Sequence, residues 1–89
     1  MNFAQFNKCN LKRADFSEAI GSGADFTKAI LSKADFTESC FDGAKFIKVE
    51  CFNAKFMEST LSGAVFTYGK FVGTNFYFAN MAGVDMKWT

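Results

Sequence analysis

Three cysteines, Cys9, Cys40 and Cys51, are the readiest nucleophiles and soft metal ligands in this 89-residue chain. Their number is odd and they form no CxxC pair, so neither a disulfide framework nor a zinc site is indicated. Histidine is absent, which removes the usual general base and the commonest metal ligand. No glycine-rich loop leads into a phosphate-binding lysine. Hydroxyls are plentiful at Ser17, Ser22, Thr27, Ser32, Thr37, Ser62 and Thr67. Each directly follows the central residue of a five-residue unit, where turn chemistry accounts for it without catalysis. Carboxylates are expected on flat, solvated sides and not in a pocket, so an acid–base pair is disfavoured. The reading is a non-enzyme with no catalytic, metal or cofactor-binding residues and no cofactor.

The element that positions these residues is a repeat of five, and it runs through the whole chain. Sixteen of the eighteen residues at positions 1, 6, 11 and onward in fives are large and apolar; Gly21 and Cys51 are the exceptions. Ten of the thirteen Phe fall on this register. Two residues earlier in each unit stands a small or modest side chain, as at Ala4, Cys9, Ala14, Ser39, Ala44, Val49 and Thr74. A period of five advances a helix face by about 140° per unit, which smears the apolar residues around it. On one continuous strand it sends successive Phe to opposite faces. A very short strand followed by a corner satisfies the pattern, because each corner returns the next pair to the inside.

A second period sets the number of corners. Written in lines of twenty, the sequence aligns Gly23, Gly43, Gly63 and Gly83, then Lys8, Lys28 and Lys48, then Glu18, Glu38 and Glu58. Phe6, Phe26, Phe46 and Phe66 form one column of the core, and Phe16, Phe36, Phe56 and Phe76 another. Four sides per coil follow, with about four and a half coils in a single domain over residues 1–89. The units Ala14-Asp15-Phe16-Ser17-Glu18, Ala24-Asp25-Phe26-Thr27-Lys28 and Ala34-Asp35-Phe36-Thr37-Glu38 resemble the pentapeptide-repeat family and its A(D/N)(L/F)xx motif. That resemblance implies an all-β, right-handed four-sided parallel β-helix, a solenoid. Gly21 removes a large group from its column, and either a void or an inward turn of Ile20 is expected there. Cys9 and Cys51 are expected as small buried hydrophobes and Cys40 as an exposed thiol.

The surface supports three functional readings. The repeat register persists to Met86 with no helical cap in sight, and uncovered solenoid edges invite further pairing. Apolar residues gather at outward positions near that end: Phe52, Met57, Val65, Tyr68, Val72, Tyr77, Phe78 and Trp88. The leading expectation is therefore a protein-interaction or scaffold module, self-associating as a homodimer through Tyr68, Val72, Tyr77, Phe78 and Trp88; Trp88 as a lid over the end is the alternative. Charge is arranged in ladders, with Asp15, Glu18, Asp35, Glu38 and Glu58 as a possible partner-facing acidic surface opposite Lys8, Lys28, Lys45 and Lys48. The family resemblance adds a second reading, a DNA-mimicking protein that binds gyrase or topoisomerase, but the acidic ladder is short and the net charge is +1. Direct polyanion binding through Lys8, Arg13, Lys28, Lys33 and Lys48 is a third and weaker reading, so nucleic acid is disfavoured as a partner. Thr27, Thr37 and Thr67 form no single ladder of the kind that suits ice binding. No apolar run reaches the ~18 residues of a membrane helix and no secretory leader is visible, so a cytoplasmic setting is the expectation.

Overall fold

The computed structural model describes residues 2–87. The chain winds as a four-sided column in which each side is one five-residue unit. Side one comprises residues 4–8, 24–28, 44–48, 64–68 and 84–87. Side two comprises 9–13, 29–33, 49–53 and 69–73, side three 14–18, 34–38, 54–58 and 74–78, and side four 19–23, 39–43, 59–63 and 79–83. Parallel bridges join residues twenty apart, from Gln5–Asp25 through to Val65–Asp85. The fold is the all-β, right-handed quadrilateral solenoid expected from the repeat.

The corners explain the period. The last residue of each unit has a positive φ, from Phe3 at 59° to Gly83 at 69°. That conformation at the second central residue is the type II turn, closed by the N–H of the following unit, as when Ala14 N–H donates to Leu11 O at 3.0 Å. Twelve of these left-handed residues are not glycine. An L side chain in that region costs about 1 kcal/mol or more, so coil-to-coil pairing must hold the corners in place.

Nearly every backbone N–H has a partner wherever a further coil follows. There the third and fifth N–H groups of a unit donate to that coil, as from Phe16 to Asp35 O (2.7 Å) and Glu18 to Thr37 O (2.9 Å). The second donates to the previous coil, as from Asp35 to Ala14 O (2.9 Å). The fourth has no backbone acceptor, and a side chain supplies one wherever the second residue is Asp or Asn. Ser17, Thr27 and Thr37 N–H donate to Asp15, Asp25 and Asp35 Oδ1, each at 2.9 Å. Asn10, Asn75, Asn80 and Asp85 do the same further along. The acidic position of the motif is thus a turn acceptor.

The interior is a set of stacked rings. Phe6, Phe26, Phe46 and Phe66 stack with centroids 4.8–5.0 Å apart, and Phe16, Phe36, Phe56 and Phe76 at 4.6–5.2 Å. The two stacks meet edge to face, as at Phe26–Phe36 with 5.7 Å and 83°. Such pairs add roughly 0.5–1.5 kcal/mol each beyond the area they bury. Buried Ser39 and Ser59 turn their hydroxyls onto Phe36 O and Phe56 O, so neither leaves a polar atom unmatched.

Gly21 corrects the sequence expectation. There is no inward turn of Ile20, which stays 63% exposed, and no void. The Phe41 ring from the next coil leans into the space, lying 5.1 Å from Phe36 and 5.7 Å from Phe26, and a methyl group at Gly21 would land on it. Phe71 likewise leans over Gly69, but within the same unit, two residues further on. Cys40 is also half-buried, with Sγ 3.9 Å from Ser22 Oγ, because the coils above and below cover it. Cys9, in the first coil, is likewise only half-buried, whereas Cys51 is buried as expected.

Two glycine substitutions separate packing from conformation. Gly43 has a φ of 70° and open space where a Cβ would stand, so Gly43→Ala should cost only the left-handed penalty of about 1 kcal/mol. Gly21→Ala must displace Phe41 and should cost about 1–3 kcal/mol. Thermal unfolding followed by circular dichroism checks the order; equal losses would contradict the packing of Phe41.

Candidate interaction surface

Outward side chains come from the second, fourth and fifth residues of each unit, and the fifth stands at the corner. The corner that ends side one carries Lys8, Lys28, Lys48 and then Tyr68. The diagonally opposite corner, ending side three, carries Glu18, Glu38, Glu58 and then Phe78. Opposite signs therefore occupy opposite corners, each ladder running through three coils before an aromatic residue. Lys48 Nζ lies 5.9 Å from the centre of the Tyr68 ring, within cation–π range.

The expected acidic surface separates into two kinds of group. Glu18, Glu38 and Glu58 are exposed corner residues, open to a partner. Asp15 and Asp35 lie within the side and are engaged by their own turns. The Ser17 hydroxyl (2.5 Å) and N–H hold the Asp15 carboxyl below its ordinary value. Asp25, on side one, is lowered too: partial burial pushes it up, but Thr27, Asn7 and the Lys45 charge outweigh that. The recurrence of Asp and Asn at the second position was visible in the sequence, and backbone accounting is what assigns it this role.

The apolar outward residues converge on the lower coils. Val72 is 72% exposed, Tyr77 64% and Phe78 73%, with Tyr77 and Phe78 rings 4.3 Å apart. Val72 closes side two, while Tyr77 and Phe78 close side three. Phe52 stands one coil above Val72 and is exposed, whereas Met57, above Tyr77, is half-buried. Tyr68 lies on the other corner of side two, away from Tyr77 and Phe78. Trp88 is outside the described residues, so its expected part in self-association lies outside them too.

A shallow groove of about 280 Å³ opens on side two beside its corner with side three, lined by Lys12, Arg13, Lys33, Glu50 and Phe52 among others. Among the described residues, no group of three or more His, Cys, Asp or Glu side chains is placed to hold a metal ion. Burial pushes the Cys51 thiol far up, away from thiolate chemistry. No helix of the structure is long and apolar enough to cross a membrane.

A four-sided parallel β-helix with side chains displayed on flat walls defines the class of protein. The chain belongs to the family of pentapeptide repeats, whose model matches eight copies over residues 1–37, 9–46 and 59–89. It is similar to a pentapeptide repeat protein from the thylakoid lumen of Arabidopsis thaliana, with 30% identity and a TM-score of 0.90 over 91% of this chain and 56% of that one. It shares its fold with a pentapeptide repeat protein of Nostoc (19% identity, TM-score 0.83, 93% of this chain and 84% of that one). It also shares it with HetL, a Nostoc protein involved in regulating heterocyst differentiation (20% identity, TM-score 0.68, 98% of this chain and 45% of that one). The chain thus spans about half the length of the Arabidopsis and HetL proteins. A search of curated protein sequences finds no match.

The thylakoid-lumen relative overturns the cytoplasmic expectation. The physical reason is plain: a column held by ring stacking and backbone hydrogen bonds needs neither disulfide nor metal, so it is indifferent to redox compartment. Cysteine usage therefore does not report where such a chain resides.

The depressed carboxyls carry a pH signature. Their contribution to stability is present above the unfolded carboxylate value of about 4 and is lost as pH falls through the lower folded values. The unfolding midpoint should therefore drop as pH is taken from neutral to below about 4, and Asp25→Asn should shrink that drop. A pH series of thermal melts tests it, and an unchanged slope in Asp25→Asn would count against the Thr27 and Asn7 contacts as its source.

Proposed function

We propose that this chain is a non-enzymatic protein-interaction module that self-associates through its C-terminal coils. The observation that carries this reading is the exposure of Val72, Tyr77 and Phe78 on consecutive sides of one rigid coil. Large apolar groups grouped on an otherwise polar wall mark contact surfaces more often than free surface. Because they occupy outward positions on the walls, they stay outward whatever else continues the column. The solenoid supplies the second requirement, a surface that binds without loss of backbone freedom.

The DNA-mimic reading receives no comparable support. Its acidic corner is limited to Glu18, Glu38 and Glu58, and the diagonal corner carries three lysines. A mimic of duplex phosphate needs an acidic wall without that counter-charge.

Light-scattering mass after size exclusion, over a wide range of protein concentration, tests self-association. The wild-type chain should run as a dimer, and Phe78→Asn should weaken it by about tenfold or more, as removal of a central aromatic anchor does. Asn tolerates the left-handed corner at position 78, so the substitution leaves the turn intact. A wild-type chain that stays monomeric at the highest concentration would end this reading.

A further inference from the structure

We propose that the self-association just described is a parallel, two-fold pairing through side three, the occupant of each third side being the third side of a second copy. The inference rests on that reading of the lower coils and specifies its geometry. Side three is bounded by two corners, and their contents change together from coil to coil. In the first coil the entering corner carries Lys12 and Arg13 and the leaving corner carries Ser17 and Glu18. In the second, Lys33 enters and Glu38 leaves. In the third, Phe52 enters and Met57 leaves, with Asn53 and Glu58 beside them. In the fourth, Val72 and Gly73 enter and Tyr77 and Phe78 leave.

A two-fold axis parallel to the column and set against side three exchanges the two corners while keeping height. The entering corner of one protomer then faces the leaving corner of the other within the same coil. Arg13 meets the partner's Glu18, and Lys33 meets the partner's Glu38. Phe52 meets the partner's Met57, and Val72 meets the partner's Tyr77. Gly73, without a side chain, leaves room for the partner's Phe78. Along the edges, the first two coils pair opposite charges and the lower two pair apolar groups, while Glu58 meets the partner's Asn53 and, mid-wall, Asp15, Asp35 and Lys55 each face their own copy across the axis. A two-fold axis perpendicular to the column instead sets entering corner against entering corner and turns the first coil onto the fourth, so charged groups meet apolar ones.

Two further observations fit. Asp15 and Asp35, which lie nearer the axis, have carboxyl oxygens directed to their own Ser17 and Thr37 N–H groups, which blunts repulsion across it. One wall of a molecule with 4850 Å² of total surface is comparable with the ~800 Å² per partner of a standard stable interface.

The test is a pair of charge reversals measured by sedimentation equilibrium. Arg13→Glu with Lys33→Glu makes both corners acidic; Glu18→Arg with Glu38→Arg makes both basic. Each variant alone should dimerise about tenfold or more weakly than wild type, since like charges then face one another across both edges. An equimolar mixture should recover wild-type affinity to within about threefold, because every facing pair is opposite again. Wild-type dimers with either variant unweakened would overturn the side-three geometry and leave self-association standing. Weakened variants whose mixture does not recover would overturn it as well. A monomeric wild type would remove both. Glu18→Gln with Glu38→Gln repeats the measurement with shape retained, and should weaken dimerisation at low salt and lose that difference at high salt; an unchanged affinity at low salt overturns the pairing.

Discussion

Each coil is fixed by a bond between coils: the N–H of a left-handed corner residue donating to the carbonyl nineteen positions further on. Glu18 to Thr37 O and Lys33 to Phe52 O are two such bonds. They hold eleven of the twelve non-glycine corner residues, all but Phe78, in a region that L side chains avoid. The cost at each corner is of order 1 kcal/mol and is met by bonds that exist only when a neighbouring coil is present. Stability is therefore a property of the stack, as nearest-neighbour repeat arrays require.

The same constraint governs the core. Once corners force a twenty-residue register, identical positions lie about 5 Å apart, the distance at which phenyl rings stack. Phenylalanine suits this repetition because rings within one column lie nearly parallel, at 3–17° to one another. Irregular positions are absorbed by ring tilt: Phe41 over Gly21 and Phe71 over Gly69. Backbone register survives both exchanges, since the bridges continue unbroken through Ile20–Cys40 and Glu50–Lys70.

Function on such a column is a matter of which outward side chains share a wall. Turns consume some of the polar ones, as Asp15 and Asp35 do, which leaves the corners as the chemically free positions. Corner residues form straight ladders, so a change of one residue type along a ladder divides a wall into zones. On side three the edges of the upper two coils are charged, whereas those of the lower two carry Phe52, Met57, Val72, Tyr77 and Phe78 beside Lys55 and Glu58.

The repeat, the four sides and the inward and outward sets were legible in the sequence. Each unit encodes its own turn and its own inward pair, so local pattern and global fold agree at every step. The acidic motif position was legible as a recurrence but not as a turn acceptor, because that role depends on which N–H the coil pairing leaves over. Other features belonged to the tertiary structure alone. Ile20 stays outside because a ring from the next coil has already filled the space, a contact twenty residues away in sequence. Cys40 is covered for the same reason, by coils above and below. Sequence periodicity states which way a side chain faces; only stacking decides what stands beside it.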